Sequence, residues 1–221
     1  SLELNLTSCQ NLVDEGFLAF AEKLSDFTSL TAIRFLITVL PLSSKAYCAV
    51  FEHLAKLPSG QLKSLVLDVQ WTQFGDEAAQ LLARFLSTQP NLSELTLNIN
   101  DSQISSVNCL KIIQSATQAT NLRTLELSLQ NFELSSPELT EITELLGTFR
   151  KISSVTLDLK GTNFDDNHAD ILFKNVVQYE QLTSFAVSLD GTKVSEAKLE
   201  FYNEKLMKEL RDPSISIRID F

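Results

Sequence analysis

At 221 residues, 44% apolar and 21% charged, the chain can bury a sizeable core and is too apolar to be disordered. Its 28 acidic and 18 basic residues give a net charge of −10, a field that repels phosphate backbones and argues against nucleic-acid binding. No apolar run approaches the roughly 20 residues that cross a bilayer, so membrane insertion is not expected.

The first residues alternate, with Leu2, Leu4 and Leu6 at the period of a half-buried strand. Leu30, Ile33, Phe35 and Ile37 form a second such stretch. From there on the spacing is regular. Leu65, Leu95, Leu125, Val155, Phe185 and Ile215 stand 30 residues apart. So do Leu67, Leu97, Leu127, Leu157, Val187 and Ile217, and a third column from Val69 to Ile219. The column Leu62, Leu92, Leu122, Ile152, Leu182 runs just ahead of them. An internal repeat of this kind governs the fold. It predicts strands over Leu65–Val69, Leu95–Ile99, Leu125–Leu129, Val155–Leu159 and Phe185–Leu189, paired in parallel and in sequence order.

After each strand comes a polar loop, then an apolar column: Phe74, Ile104, Leu134, Phe164, Val194. Helix-start chemistry follows at Gly75-Asp76, Ser105-Ser106, Ser135-Ser136, Asp165-Asp166 and Ser195-Glu196, where short acceptors can satisfy the free N–H groups of a first turn. Pro137 suits a first helical position. Helical spacing then appears in Ala79, Leu82, Ala83, Leu86 and again in Leu139, Ile142, Leu145, Leu146. No linker interrupts the array, so 1–221 is read as a single domain. Its last helix is the most charged, and Asp212-Pro213 replaces the first leucine of the final strand, as at a natural C-terminal end. The first strand has no cap over its apolar edge. The chain is therefore expected to be the C-terminal part of a longer array or protein.

Leu-x-x-Leu-x-Leu followed by an inward helix resembles the ribonuclease-inhibitor-like class of leucine-rich repeats over essentially the whole chain. The fuller form from Leu65 to Ala78 is similar to long arrays of protist proteins. The resemblance implies an α/β horseshoe solenoid, with a parallel concave sheet of about eight strands, roughly 35 Å deep, and convex helices. Those arrays carry a ladder Asn that bonds to the neighbouring loop. Thr72, Ser102, Thr162 and Thr192 stand there in this chain, with Cys9 and Phe132 in other copies. Hydroxyls are expected to do part of the ladder's work, and the loop around Phe132 to be shaped differently.

The three cysteines, Cys9, Cys48 and Cys109, are too few and too scattered for a disulfide framework, and read as reduced, buried thiols of an intracellular, cytoplasmic protein. The only histidines, His53 and His168, fall four repeats apart, about 20 Å by strand spacing, too far to share a metal or a catalytic dyad. No Gly-rich phosphate loop or nucleophile–base pair stands out, so neither enzyme activity nor a cofactor is expected.

By the family resemblance, a partner contacts the residues between the inward leucines. The candidates are Arg34, Asp68, Asn98, Glu126, Asp158 and Asp190, with Trp71, the only tryptophan, in the loop at a strand's end as a partly exposed anchor. A second candidate is the acidic run of Glu133, Glu138, Glu141, Glu144, Asp158, Asp165, Asp166 and Asp170, a docking patch for a basic surface. The expected role is a non-enzymatic protein–protein interaction scaffold that binds a protein partner through its concave face. The alternative is the regulatory or sensing region of a larger multidomain enzyme such as a kinase.

Overall fold

The computed structural model describes residues 1–209 and 215–220; the Asp212-Pro213 step lies outside them. Strands and helices alternate: β1 (Leu2–Asn5), α1 (Asp14–Leu24), β2 (Ala32–Leu36), α2 (Ser44–Leu54), β3 (Ser64–Asp68), α3 (Asp76–Ser87), β4 (Glu94–Asn98), α4 (Ser106–Ala116), β5 (Thr124–Ser128), α5 (Ser136–Leu146), β6 (Ser154–Asp158), α6 (Asp166–Val176), β7 (Ser184–Ser188), α7 (Glu196–Glu209), β8 (Ser216–Asp220). They make one eight-stranded sheet in the order β1 to β8. All pairs are parallel, and β3 to β7 keep the register of the repeat, with Leu65 opposite Leu95 and Leu95 opposite Leu125. At β8 the expected columns are corrected: Ile217 stands opposite Phe185 and Ile219 opposite Val187, two residues later than the spacing of 30, a shift that keeps each side chain on its face. The fold is a leucine-rich-repeat solenoid. The strands lie one residue earlier than the spacing predicts, but hydrogen bonding continues past their ends: Val69 N–H still donates to the Asn98 carbonyl at 2.9 Å.

Alternation explains the core. In β4 and β5 the leucines turn inward and are buried, while Thr96 and Glu126 face out. Burying one leucine contributes about 1.5–3 kcal/mol, and each repeat buries several. Rings fill the wider gaps, with Phe74 edge-on to both Tyr47 and Phe51, and Phe173 stacked on Tyr202.

The helix starts are where the sequence places them, but most of their serines reach sideways instead of capping their own helix. Ser43 donates from its N–H and hydroxyl to Asp14, Ser105 to Asp76, and Ser195 to Asp166, each carboxylate belonging to the preceding repeat. Ser106 donates to Glu138 of the following repeat. His168, 1% exposed, aims Nε2 at the Ser136 carbonyl, 3.0 Å away. Asp165 caps its own helix, accepting from the N–H groups of Asn167 and His168.

The ladder expectation is corrected. Thr72, Ser102 and Thr162 donate to the carbonyls of Val69, Ile99 and Leu159 three residues back, closing their own loops. Asn100 bridges repeats instead, donating to Ser128 Oγ and accepting from Gln130 N–H at 2.8 Å each. The Phe132 loop keeps its siblings' left-handed turn, at Asn131, and Phe132 packs against the core. Cys48 and Cys109 are buried, but Cys9 is exposed: among the described residues its loop is flanked on one side only, by the loop at Thr38.

Candidate functional site

The outward face of the sheet is hollowed into a groove of about 440 Å³ across β2 to β6. Five sequence-nominated residues line it together: Arg34, Asp68, Asn98, Glu126 and Asp158. Arg34 stands at its β2 end, 3.4 Å from Glu3 in an exposed ion pair. Glu126 accepts from Thr96 Oγ1 at 3.2 Å. Asp68, Asn98 and Asp158 share a column, and each accepts the backbone N–H two residues on, from Gln70, Asn100 and Lys160. These Asx turns end the strands. Three nominated residues therefore have a structural task that sequence spacing did not reveal. Burial raises the Asp68 pKa, against the pull of Gln70 and Asn98.

Trp71 and Asp190 are not part of this groove's lining. Both sit on the edge where strands pass into loops, and Trp71 is 61% exposed. This edge has a regular backbone feature. Ser8, Val39, Trp71, Asp101, Asn131, Gly161 and Gly191, one per repeat, all have positive φ. Gly, Asn and Asp adopt that conformation readily, whereas a β-branched or bulky residue does so only under strain of about 1–3 kcal/mol. Val39 (φ 54°) and Trp71 (φ 57°) are such residues in adjacent repeats, joined by a 3.2 Å bond from Val39 N–H to the Gln70 carbonyl. Neither is buried, Val39 being 40% exposed. Core packing therefore does not offset the strain. Val39 escaped the sequence reading because the early repeats are irregularly spaced; aligning it with Trp71 across that offset was the signal available. Below the edge, the Tyr47 hydroxyl is buried beside Thr72 without a well-formed hydrogen bond among the described residues, and burial pushes its pKa up to about 12 against the pull of Thr72.

The acidic run is mostly engaged in structure. Glu138 holds Ser106 and Ser135, which keep its carboxyl below the usual range. Asp170 holds Lys198 and Tyr202, with the same effect. Asp165 and Asp166 serve helix ends, and Glu141 accepts from Gln114. Glu133 and Glu144 stay exposed.

His53 on α2 pairs with Lys56 just past the helix end, and His168 is built into a helix start. Among the described residues, no three His, Cys, Asp or Glu side chains converge as a metal site, and no helix is long and apolar enough to cross a membrane.

No family model matches the chain, and no curated protein sequence does. Solved structures do. Actin-binding site 2 of leiomodin-1 is similar with a TM-score of 0.53 at 14% identity, over 86% of this chain and 94% of that one. The tropomodulin C-terminal domain of Caenorhabditis elegans gives 0.45 at 12% identity, over 90% and 93%. A Bacteroides fragilis protein gives 0.46 at 14%, over 94% and 60%. At such identities the first of these speaks to fold alone.

Proposed function

We propose that the chain is a non-enzymatic scaffold that binds a protein partner through the groove of its sheet. One observation carries this reading: five outward side chains from five consecutive strands line a single open groove on a rigid, fully paired sheet. A pre-organised surface of that kind loses little entropy on binding. The acidic balance favours a partner with a basic surface, and buried free thiols at Cys48 and Cys109 fit an intracellular, cytoplasmic setting. The eleven-residue helices of most repeats support the ribonuclease-inhibitor-like class.

The test is affinity capture from native lysate with mass spectrometry, comparing the parent, the groove variant Glu126→Lys with Asp158→Lys, and the outer-helix variant Glu141→Lys with Glu144→Lys. Proteins lost on the groove variant alone are expected. Proteins retained equally by all three would overturn the reading. Purified actin is the first partner to assay, because a domain of like fold is an actin-binding site.

The edge at β1 favours the second reading. Leu2, Leu4, Leu6, Leu12 and Phe20 pack on the core but remain partly exposed there. Covering by further repeats, as in the C-terminal part of a longer array or the regulatory region of a multidomain enzyme, would bury them. Adding native upstream sequence should then raise the melting temperature. An unchanged value would count against it.

A further inference from the structure

Six large apolar side chains are exposed among the described residues; two of them, Val39 and Trp71, lie on the loop edge, and Val13 and Val107 stand at the helix starts of the first and fourth repeats. Scattered apolar residues need no explanation. These do, because two of them hold left-handed backbone that their residue types resist and bury nothing in return. Between the first three loops runs a groove of about 590 Å³, lined by Leu12, Val13, Pro41 and Gln73 among others. The exposed charges bordering this stretch are mainly of one sign: Glu15, Glu77 and Asp101, with Lys45 opposing them.

We propose that this edge docks a basic amphipathic segment of a protein partner, whose aliphatic side chains cover Val39 and Trp71 while its Lys or Arg side chains face Glu77 and Asp101. The proposal rests on the reading of the chain as a protein-binding module and adds an anchor outside the sheet groove. Opposite charge supplies orientation and speed of encounter, and the indole and valine supply the desolvated centre. An acidic segment is repelled.

Trp71 is the only tryptophan, so its emission reports directly on cover. The probe is a synthetic leucine–lysine amphipathic peptide of about 18 residues, with leucine–glutamate and serine–lysine counterparts as controls. The leucine–lysine peptide should blue-shift Trp71 emission, bind about tenfold or more tighter than either control, and weaken as salt rises. With a labelled peptide, Val39→Gly combined with Trp71→Gly should lose about tenfold in affinity while the melting temperature holds or rises, since glycine relieves the strain. Glu77→Lys with Asp101→Lys should lose affinity to a similar degree. Asp68→Asn with Asp158→Asn should leave it unchanged. No blue shift, equal binding of the glutamate peptide, or full affinity in the glycine variant overturns the proposal. Loss in the Asp68 and Asp158 variant alone also overturns it, yet leaves the sheet-groove reading standing.

Discussion

The second and third repeats turn the same corner as the sixth and seventh, with opposite residue types. Val39 and Trp71 hold the left-handed position in one pair, and Gly161 and Gly191 in the other. The later pair is comfortable and closely stacked: a Cβ at Gly161 would run into the Asn131 side chain. The earlier pair carries bulky side chains that stay exposed. The backbone path is therefore set by the stacking of repeats, not by the residue at the corner. What occupies the corner is free to serve another end.

Four tests probe this contrast. The largest effect comes from breaking the frame both regions share: Leu127→Asp buries an unpaired carboxylate between stacked repeats. It should cost about 4 kcal/mol in urea unfolding; a variant as stable as the parent would refute the assigned register. Moving the indole comes next. Gly161→Trp adds left-handed strain and a collision with Asn131, and about 2–3 kcal/mol should be lost in thermal melts. No loss would mean that the corner stores no strain. Thr72→Val and Thr162→Val remove the same loop-closing hydroxyl in the two regions. Each should cost about 1 kcal/mol, and the two values should agree, because the corner closes alike in both. Acid gives the smallest effect and separates the regions. The Glu138 and Asp170 carboxyls sit below their ordinary values in the folded chain. Their stabilising contribution is complete above pH 4.5 and fades as pH falls through the lowered values. Hydrogen exchange should show α5 and α6 loosening in that window while α2 holds, with the α3 start responding too because Asp76 is lowered as well, and Glu138→Gln should blunt the effect.

The strands, their order and, from β3 to β7, their register were legible because a period of 30 in several columns admits one stacking. At β8 the spacing points two residues early, because Ile215, Ile217 and Ile219 alternate alike in either register. So were the helix starts and the exposure of Trp71. The partners of the polar residues were not. A serine before a helix looks like a cap, yet whether it turns to its own helix or to its neighbour depends on which carboxylate the adjacent repeat presents, as Ser105 and the preceding repeat's Asp76 show. Asp68 and Asp158 look like free binding groups, and only the strand-end geometry reveals their Asx turns. Cys9 fits an inward column by spacing, but it lies in the first loop, which has a neighbour on one side only.

The sideways serine bonds divide the molecule into seams of two kinds. Helix-start clasps join α1 to α2, α3 to α4, α4 to α5, α5 to α6 and α6 to α7. Between α2 and α3 the described residues show no such serine clasp: Gly75 stands where the loops before α2, α4, α5 and α6 offer a serine or aspartate, and Tyr47 and Phe51 press on Phe74 instead. Polar clasps are short-ranged and brittle under tension, whereas edge-on rings shift against one another and yield gradually. Pulled from its ends, such an array would part in discrete steps at the clasped seams. The ring-filled joint beneath Val39 and Trp71 would act as its compliant hinge.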